Sequence, residues 1–194
     1  MARDRRQQLL DVAAELFAER GFHRVTVDDL GAAVGVSGPA LYHHFSGKEE
    51  LLGEILVAIS EQLLEGGKAR VAQAADPADA LDALLQFHIA FSLSRPALIT
   101  VHFRELVHAP EADRRRVRQL QGEYVEQWVD VLTDLDTSLD RTTARAATHA
   151  ALGLMNSTPY SARLGHGPMR QLLLRMARAA IGSAGDGVDG RQVG

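Results

Sequence analysis

Residues with the types and spacing of a catalytic or metal site are scarce in this sequence. Glu105 and His108 have the Glu-x-x-His spacing of di-iron helical bundles, but such a site needs a second copy, and the sequence holds none. His-Glu-x-x-His, Gly-x-Ser-x-Gly and Gly-rich phosphate-loop patterns are absent too. We therefore predict no catalytic residue, no metal site and no cofactor.

The composition narrows the class of protein further. The chain has 194 residues, 46% of them hydrophobic, and no cysteine, which excludes disulfide scaffolds, Cys-ligated zinc, iron–sulfur clusters and thiol nucleophiles. A net charge of -4 argues against holding nucleic acid by bulk charge, although not against a local basic site. No apolar stretch is long enough for a membrane span or a secretory signal, so we expect a cytoplasmic protein.

Helical periodicity runs through nearly the whole chain and strand signals are almost absent, which predicts an all-α protein of about nine helices. The first helix has one apolar face and ends at Gly21. A capping box formed by Thr26 and Asp29 opens the second helix, which ends near Gly35. Ser37 caps a very short third helix, residues 38–44. A second capping box, Ser46 to Glu49, opens a fourth helix toward Gly66-Gly67.

Proline marks most of the later helices, because its missing N–H costs least in the first turn. The predicted ranges are about 77–94, 96–108, 110–135, 139–158 and 168–182. The glycine-rich residues 183–194 are predicted to be a disordered tail.

Residues 27–44 have the form of a helix-turn-helix, two short helices joined by a turn that contains Gly35. In such a module the second helix enters the major groove of DNA, while helix starts hold phosphates. A plain hairpin of two helices within a bundle would have the same spacing and is the alternative.

The residues themselves resemble a known family. From Thr26 to Leu52 the chain reads TVDDLGAAVGVSGPALYHHFSGKEELL, which is similar to the DNA-binding signature of the TetR family of transcriptional regulators. The preceding Leu16–Phe22, LFAERGF, matches as well. The resemblance is strong over residues 5–55, and beyond them only the number and order of helices match.

This resemblance implies an all-helical homodimer, in which each chain has two domains followed by the tail. Residues 1–47 would form a three-helix DNA-binding domain, residues 48–182 a ligand-binding and dimerisation domain, and residues 183–194 the tail. The expected DNA contacts, carried over by position, are Thr26, Ser37, Gly38, Pro39, Ala40, Tyr42, His43, His44 and Lys48.

Charge complicates this expectation. Residues 1–50 hold six basic and eight acidic side chains, a balance of -2, so DNA binding would depend on local arrangement. An N-terminal arm with Arg3, Arg5 and Arg6 is one source of basic contacts; a solvated chain end is the alternative. We expect modest nonspecific affinity and a weak dependence on salt.

The last two long helices carry stripes that suggest self-association as a four-helix bundle, with internal packing in a monomer as the alternative. A two-fold dimer would favour a palindromic operator. The stripes are Ala144, Ala147, Thr148, Ala151 and Met155 on one helix, and Leu172, Leu173, Met176, Ala177 and Ala180 on the other.

Aromatic and polar residues at core-like positions of the middle helices form a candidate effector site, since a small ligand needs apolar walls and a few polar groups. Core packing is the alternative for each. The candidates are Phe87, His88, Phe91, His102, Phe103, Tyr124, Trp128, His149 and Asn156. The basic run from Arg114 to Arg118 is either a solvated helix face or a site for the phosphates of a coenzyme A thioester.

The resemblance therefore implies a ligand-responsive repressor, which binds a palindromic operator as a homodimer and is released by a small, largely apolar effector. An acyl-CoA or a related catabolite is the effector we expect. The alternatives are an enzyme, and a helical dimer that binds ligands or partners without DNA.

Overall fold

The computed structural model describes residues 2–35, 45–161 and 163–184, without the side chains of residues 2–5. Over these residues the secondary structure is helical and contains no strand, so the all-α prediction is confirmed. Two 3₁₀ helices, Phe22–Arg24 and Leu106–His108, accompany the α-helices. The α-helices are α1 Ala2–Arg20, α2 Val27–Ala33, α3 Lys48–Gln73, α4 Pro77–Ser94, α5 Pro96–Glu105, α6 Glu111–Leu135, α7 Arg141–Met155, α8 Thr158–Ser161 and α9 His166–Gly182.

The first two helix boundaries follow the sequence signals. Gly21 ends α1 with a φ of 81°, a left-handed conformation that glycine adopts without strain. The capping box at the start of α2 is confirmed: the Asp29 amide donates to Thr26 Oγ1 over 3.1 Å, and the Thr26 amide donates to Asp29 Oδ2 over 2.8 Å.

Helix α3 departs from the prediction at both ends. The helix begins at Lys48. The Ser46 amide and hydroxyl both donate to the carboxylate of Glu50, each over 2.6 Å, and not to that of Glu49. The predicted capping box of Ser46 and Glu49 is therefore wrong. The helix also continues through Gly66 and Gly67 to Gln73, because both glycines serve packing and neither ends the helix. A Cβ at Gly67 would lie 2.8 Å from Tyr124 Cε2, and one at Gly66 would collide with the ring of Phe87.

The prolines lie near the predicted helix starts. Pro77 and Pro96 are the first residues of α4 and α5, Pro110 precedes α6, and Pro168 is the third residue of α9. The predicted helix 139–158 is shorter, because Asn156 ends α7 and a separate single turn, α8, follows.

The chain divides into two compact units. Unit 1 consists of Met1–Leu63 and Arg95–Gln121, and unit 2 of Leu64–Ser94 and Gly122–Gly194. In unit 1, α1 packs against α5 and α2, around buried residues that include Phe17, Leu30, Leu52 and Ile55. In unit 2, α9 packs against α7 and α4, around Leu84, Ile89, Trp128 and Leu173. The functional boundary after residue 47 stays a prediction.

The basic residues near the N-terminus belong to a helix. Helix α1 begins at Ala2, so Arg3, Arg5 and Arg6 all lie within it. Arg6 pairs with Glu54, with 2.8 Å between Nε and Oε1, and its guanidinium lies 4.5 Å from the centre of the Phe45 ring. The interpretation as a free arm is therefore wrong for Arg6. The predicted disorder of the tail concerns residues that lie, from 185 onward, outside the described part.

We find no single helix, within the described ranges, that is long and apolar enough to cross a membrane; the bent pair Pro77–Ser94 and Pro96–His108 meets the length and composition criteria only when taken together.

Two glycines of unit 2 should respond oppositely to alanine. Gly122 lies inside α6, and a Cβ there would meet nothing within 4 Å, so Gly122→Ala should raise the free energy of unfolding by about 1 kcal/mol through helix propensity. Gly67→Ala should lower it by about 1 kcal/mol or more, because the added methyl group overpacks the Tyr124 ring. Urea unfolding of both variants beside the parent checks the pair; equal shifts for the two would contradict the packing role of Gly67.

Candidate functional site

Two of the predicted DNA contacts lie in the described part of the chain, Thr26 and Lys48. The other predicted contacts lie outside the described residues; they are Ser37, Gly38, Pro39, Ala40, Tyr42, His43 and His44. The Thr26 hydroxyl donates to Asp29 Oδ2 over 2.6 Å and also accepts from the Asp29 amide. Its polar atoms therefore already serve the cap of α2, and its contact with phosphate stays a prediction.

The start of α2 carries negative charge. The Thr26 hydroxyl and amide, with the guanidinium of Arg20 adding to them, hold the pKa of the Asp29 carboxyl below its usual range. Asp28 lies beside it in the first turn. These carboxylates complement the helix dipole, but they would repel a phosphate at the same end.

Lys48 lies at the start of α3 with its ammonium turned toward its own chain. Its Nζ donates to the carbonyl oxygens of Phe22 and Val25 over 3.0 and 3.1 Å, and lies 4.4 Å from the centre of the Phe22 ring. The predicted phosphate contact of Lys48 is not tested by these contacts. They do commit two of the three N–H donors of the ammonium.

The 3₁₀ helix Leu106–His108 also packs against Phe22 and its neighbour His23. The sequence alone does not predict these contacts. The His108 ring stacks on the Phe22 ring with 5.1 Å between their centres, and the His23 ring lies 4.3 Å from that of His108. His108 Nε2 is 3.8 Å from the buried carboxylate of Glu105. The Glu-x-x-His pair is thus a packing contact, and no cluster of three potential metal ligands occurs within the described residues.

Five of the predicted effector residues come together in unit 2, around His88. His88 is buried, and its two ring nitrogens lie 3.2 Å from the Tyr124 hydroxyl and 3.0 Å from Asn156 Oδ1. Ser92 also donates to Asn156 Oδ1, over 3.2 Å. The remaining two are Phe91 and Trp128, whose ring centres lie 6.4 and 6.3 Å from that of His88.

Burial keeps this cluster uncharged. It lowers the pKa of His88 from 6.5 to about 4, against the opposing effect of the hydrogen bond to Asn156. Burial also raises the pKa of Tyr124, while the nearby Trp128 indole and the charge of Arg70 act in the other direction. At neutral pH the imidazole is therefore neutral, so it donates to Asn156 Oδ1 and accepts from the Tyr124 hydroxyl.

Two polar atoms beside this cluster have no hydrogen-bond partner of ordinary geometry within the described residues. They are Nε1 of Trp128, whose side chain is fully buried, and Oε1 of Gln127. The indole N–H of Trp128 makes at most a weak contact with the Tyr124 hydroxyl, so it keeps the capacity to donate to another group. Gln127 and Tyr124 both face Gly67 of α3.

The other predicted effector residues lie apart from this cluster. Phe87 is half-buried between Gly66 and the guanidinium of Arg70, which lies 4.3 Å from its ring centre. His102 and Phe103 belong to unit 1; His102 Nε2 lies 2.9 Å from Gln121 Nε2, and burial lowers its pKa. The core-like placement is wrong for Phe103, which is 61% exposed, and for His149, because both lie on the outer faces of their helices.

Most of the predicted self-association stripes are buried inside unit 2. Helices α7 and α9 pack against each other, so the internal-packing alternative holds for these stripe residues. The prediction that these residues form a surface for a second chain is wrong, since helices of the same chain already cover them. The buried members are Ala144, Thr148, Ala151 and Met155 of α7, and Leu173 and Ala177 of α9.

The basic run of α6 has the contacts of a solvated face. Arg114, Arg115 and Arg118 each lie within reach of the Glu111 carboxylate, and Arg116 pairs with Glu61 over 3.1 Å. The hydrogen bond from Arg114, together with the charges of Arg115 and Arg118, lowers the pKa of the Glu111 carboxyl.

Two sequence models of one family match the chain. The one described as "Bacterial regulatory proteins, tetR family" matches residues 9–55, and the one described as "Tetracyclin repressor-like, C-terminal domain" matches residues 74–160. The chain belongs to the TetR family. The predicted helix-turn-helix falls within the first match. The relatives that are named as transcriptional repressors or activators are not enzymes, which counts against the enzyme alternative.

TetR-family relatives agree with this assignment. The transcriptional repressor KstR2 of Rhodococcus jostii is 34% identical over 129 residues, which are 66% of this chain and 63% of the relative. The chain thus spans somewhat less than two thirds of the curated relatives it matches. The solved structure of the ketosteroid transcriptional regulator KstR2 of Mycobacterium tuberculosis has a TM-score of 0.78 at 25% identity, covering 92% of this chain and 94% of the other.

A further TetR-fold structure, AibR in complex with isovaleryl coenzyme A and operator DNA, has a TM-score of 0.75 at 21% identity, covering 89% of this chain and 97% of the other. At that identity the likeness concerns the fold alone.

The buried His88 should make stability depend on pH. Between its ordinary pKa of 6.5 and the folded value of about 4, the unfolded chain binds a proton that the folded chain does not, so acid favours unfolding in this window. His88→Gln removes this term, and its free energy of unfolding should fall less steeply from pH 6.5 to 4, by up to about 1.4 kcal/mol per pH unit. Urea unfolding at several pH values measures it.

The control for this experiment is His149→Gln, which removes an exposed imidazole from the same unit. An equally steep pH dependence in His88→Gln and in the parent would contradict the neutral state assigned to His88.

Proposed function

We propose that the protein is a ligand-responsive, DNA-binding transcriptional repressor, which binds a palindromic operator as a homodimer. The observation that carries the proposal is the match of residues 9–55 to the TetR family, over the stretch that holds the predicted helix-turn-helix. The 34% identity to the repressor KstR2 favours repression. Binding to chromosomal DNA would make the protein cytoplasmic.

The proposed DNA surface is centred on the second helix of the helix-turn-helix, and a phosphate contact of Thr26 would have to form beside the Asp28 and Asp29 carboxylates. Tyr42 and His44 supply side chains for base edges or phosphates, whereas Gly38, Pro39 and Ala40 have no bidentate group for reading a base. Sequence discrimination would then depend on contacts to thymine methyl groups, phosphate register and DNA shape. Lys48 is left out of this surface because its ammonium already serves two carbonyl oxygens.

The proposed effector is small and largely apolar, an acyl-CoA or a related catabolite whose acyl part enters unit 2. The cluster around His88 is neutral, which would favour a carbonyl or hydroxyl group over a carboxylate. The indole N–H of Trp128 supplies a buried donor for such a carbonyl. The complex of AibR with isovaleryl coenzyme A supports this class of ligand through the shared fold only.

The proposed dimer uses the last two long helices through their outer faces, since the inner faces pack within unit 2. On α7 the exposed side is formed mostly by small residues, which allow close helix approach. On α9 the exposed Met176 follows the half-buried Leu172, and Tyr160 and Leu164 are exposed just before this helix. The exposed small residues are Ala146, Ala150 and Gly153 of α7, and Ala179 and Ala180 of α9.

Repression would be relieved by population shift. The effector must bind more tightly to the dimer geometry that fits DNA poorly, and a coupling of about 1–3 kcal/mol would be ordinary for such a regulator.

Removal of the Tyr42 ring should weaken operator binding. We expect Tyr42→Ala to lower the affinity for the operator about fivefold or more, as the loss of a contact worth about 1–3 kcal/mol would. The operator duplex is first selected from a random library with the parent protein, and binding is followed by fluorescence anisotropy. Phe103→Ala, which removes an exposed ring elsewhere in unit 1, is the control and should bind like the parent. Unchanged affinity in Tyr42→Ala would move the DNA surface elsewhere.

A charge on the outer face of α9 should separate the dimer. Met176 is 44% exposed in the single chain, so Met176→Glu should leave each subunit folded while burying an unpaired carboxylate in the proposed interface. Sedimentation equilibrium should then give the 21.1 kDa monomer where the parent gives twice that mass. Gln171→Glu places the same charge at an exposed position of α9 away from Met176 and should stay dimeric. A dimeric Met176→Glu protein would count against this face.

A further inference from the structure

The contacts of Lys48 join the start of α3 to the turn that precedes α2. The two carbonyl oxygens that it contacts belong to Phe22 and Val25, and Val25 directly precedes Thr26, the N-cap of α2. The capping box then fixes Thr26 to Asp29. A continuous set of hydrogen bonds therefore leads from the first residue of α3 to the first turn of α2.

The turn of residues 21–25 is held by a second element as well. The ring of His108 stacks on that of Phe22, with an angle of 11° between the ring planes. A Cβ at Gly21 would lie 3.8 Å from Glu105 Oε1, so the end of α5 is close to the turn too. Phe22 itself is buried. The turn is thus contacted by Lys48 of α3, through hydrogen bonds, and by His108 of the 3₁₀ helix after α5, through ring stacking.

The chemistry at Nζ is that of a bound cation. A half-buried ammonium with two carbonyl acceptors and an aromatic ring within 4.4 Å has replaced much of its hydration by protein groups. To make a strong phosphate contact it would have to give up one of these partners or use its remaining N–H.

We propose that Lys48 is a positioning residue for DNA binding: it locks the turn 21–25 to the start of α3, so that α2 follows α3 as one body. This inference rests on the proposed function, and it assigns the main effect of Lys48 to the orientation of the helix-turn-helix. An effector that changes the position of the start of α3 would, through this lock, change the position of α2.

The sequence provides a matched control, because Lys48 and Lys68 are its only lysines and both lie in α3. Lys68 is exposed and, among the described residues, pairs with the nearby Glu65 over 2.8 Å. Lys48→Met and Lys68→Met therefore remove the same charge from the same helix, with methionine keeping a long unbranched chain in each case.

The first measurement uses the DNA-free protein and hydrogen–deuterium exchange read by mass spectrometry. In Lys48→Met, peptides that cover residues 21–30 should exchange at least tenfold faster, while those of α4 keep the exchange of the parent. Lys68→Met should match the parent throughout. Faster exchange over the whole chain, or none in residues 21–30, would overturn the positioning role.

The second measurement is the affinity for the selected operator duplex at several salt concentrations. Lys48→Met should bind at least tenfold more weakly with an unchanged slope of log affinity against log salt. A phosphate contact would instead reduce the slope by about 2 for a dimer, at about 0.9 for each phosphate, and that result would overturn the proposal. Phe22→Leu keeps the charge but removes the ring; it should also speed exchange in residues 21–30, and its effect on affinity should not add to that of Lys48→Met.

The proposed function and the positioning role of Lys48 can be refuted separately. If the parent protein enriches no duplex from the random library, the proposed function is wrong, while the exchange measurement still decides whether Lys48 holds the turn.

Discussion

The packing of unit 1 depends on how a five-residue turn, Gly21–Val25, satisfies its backbone. Only one turn of 3₁₀ helix, Phe22–Arg24, lies between α1 and α2, so carbonyl groups in this segment lack a helical partner, and such groups are costly when they are partly shielded from water. Lys48 supplies the donors for two of them, and Phe22 carries the turn into the core beside Phe17, with 5.4 Å between the ring centres. These contacts hold the segment from which α2 begins.

The sequence predicts local features of this fold well, because they depend on neighbours along the chain. The box of Thr26 and Asp29, the stop at Gly21 and the helix starts at Pro77 and Pro96 all need only a few consecutive residues. It predicts less well where distant residues decide. Gly66-Gly67 has the local pattern of a helix end, and the helix continues because Phe87 and Tyr124, far along the chain, occupy the space that side chains would need.

The candidate sites show the same division. Residue type and spacing locate His88, Tyr124 and Asn156 but cannot reveal that His88 hydrogen-bonds to the other two, since Tyr124 lies on α6 and Asn156 just after α7, both far from His88 along the chain. Most residues of the predicted apolar stripes of α7 and α9 are buried, as their periodicity indicates. Periodicity alone, however, cannot show whether such a stripe packs against its own chain or against a second copy. Lys48 has the sequence position of a phosphate contact, and only the three-dimensional structure brings the Phe22 and Val25 carbonyls to its ammonium.

The contrast between the two lysines also has a consequence for chemical modification. An amine must be accessible to attack an activated ester or to be acylated, and the Lys48 amine is half-buried, with two carbonyl oxygens and an aromatic ring around its nitrogen. The Lys68 amine lies on the surface beside one carboxylate. Of the two lysine side chains, Lys68 is therefore the one suited to carry a dye or a cross-linker, at a position in unit 2 and outside the turn that holds α2.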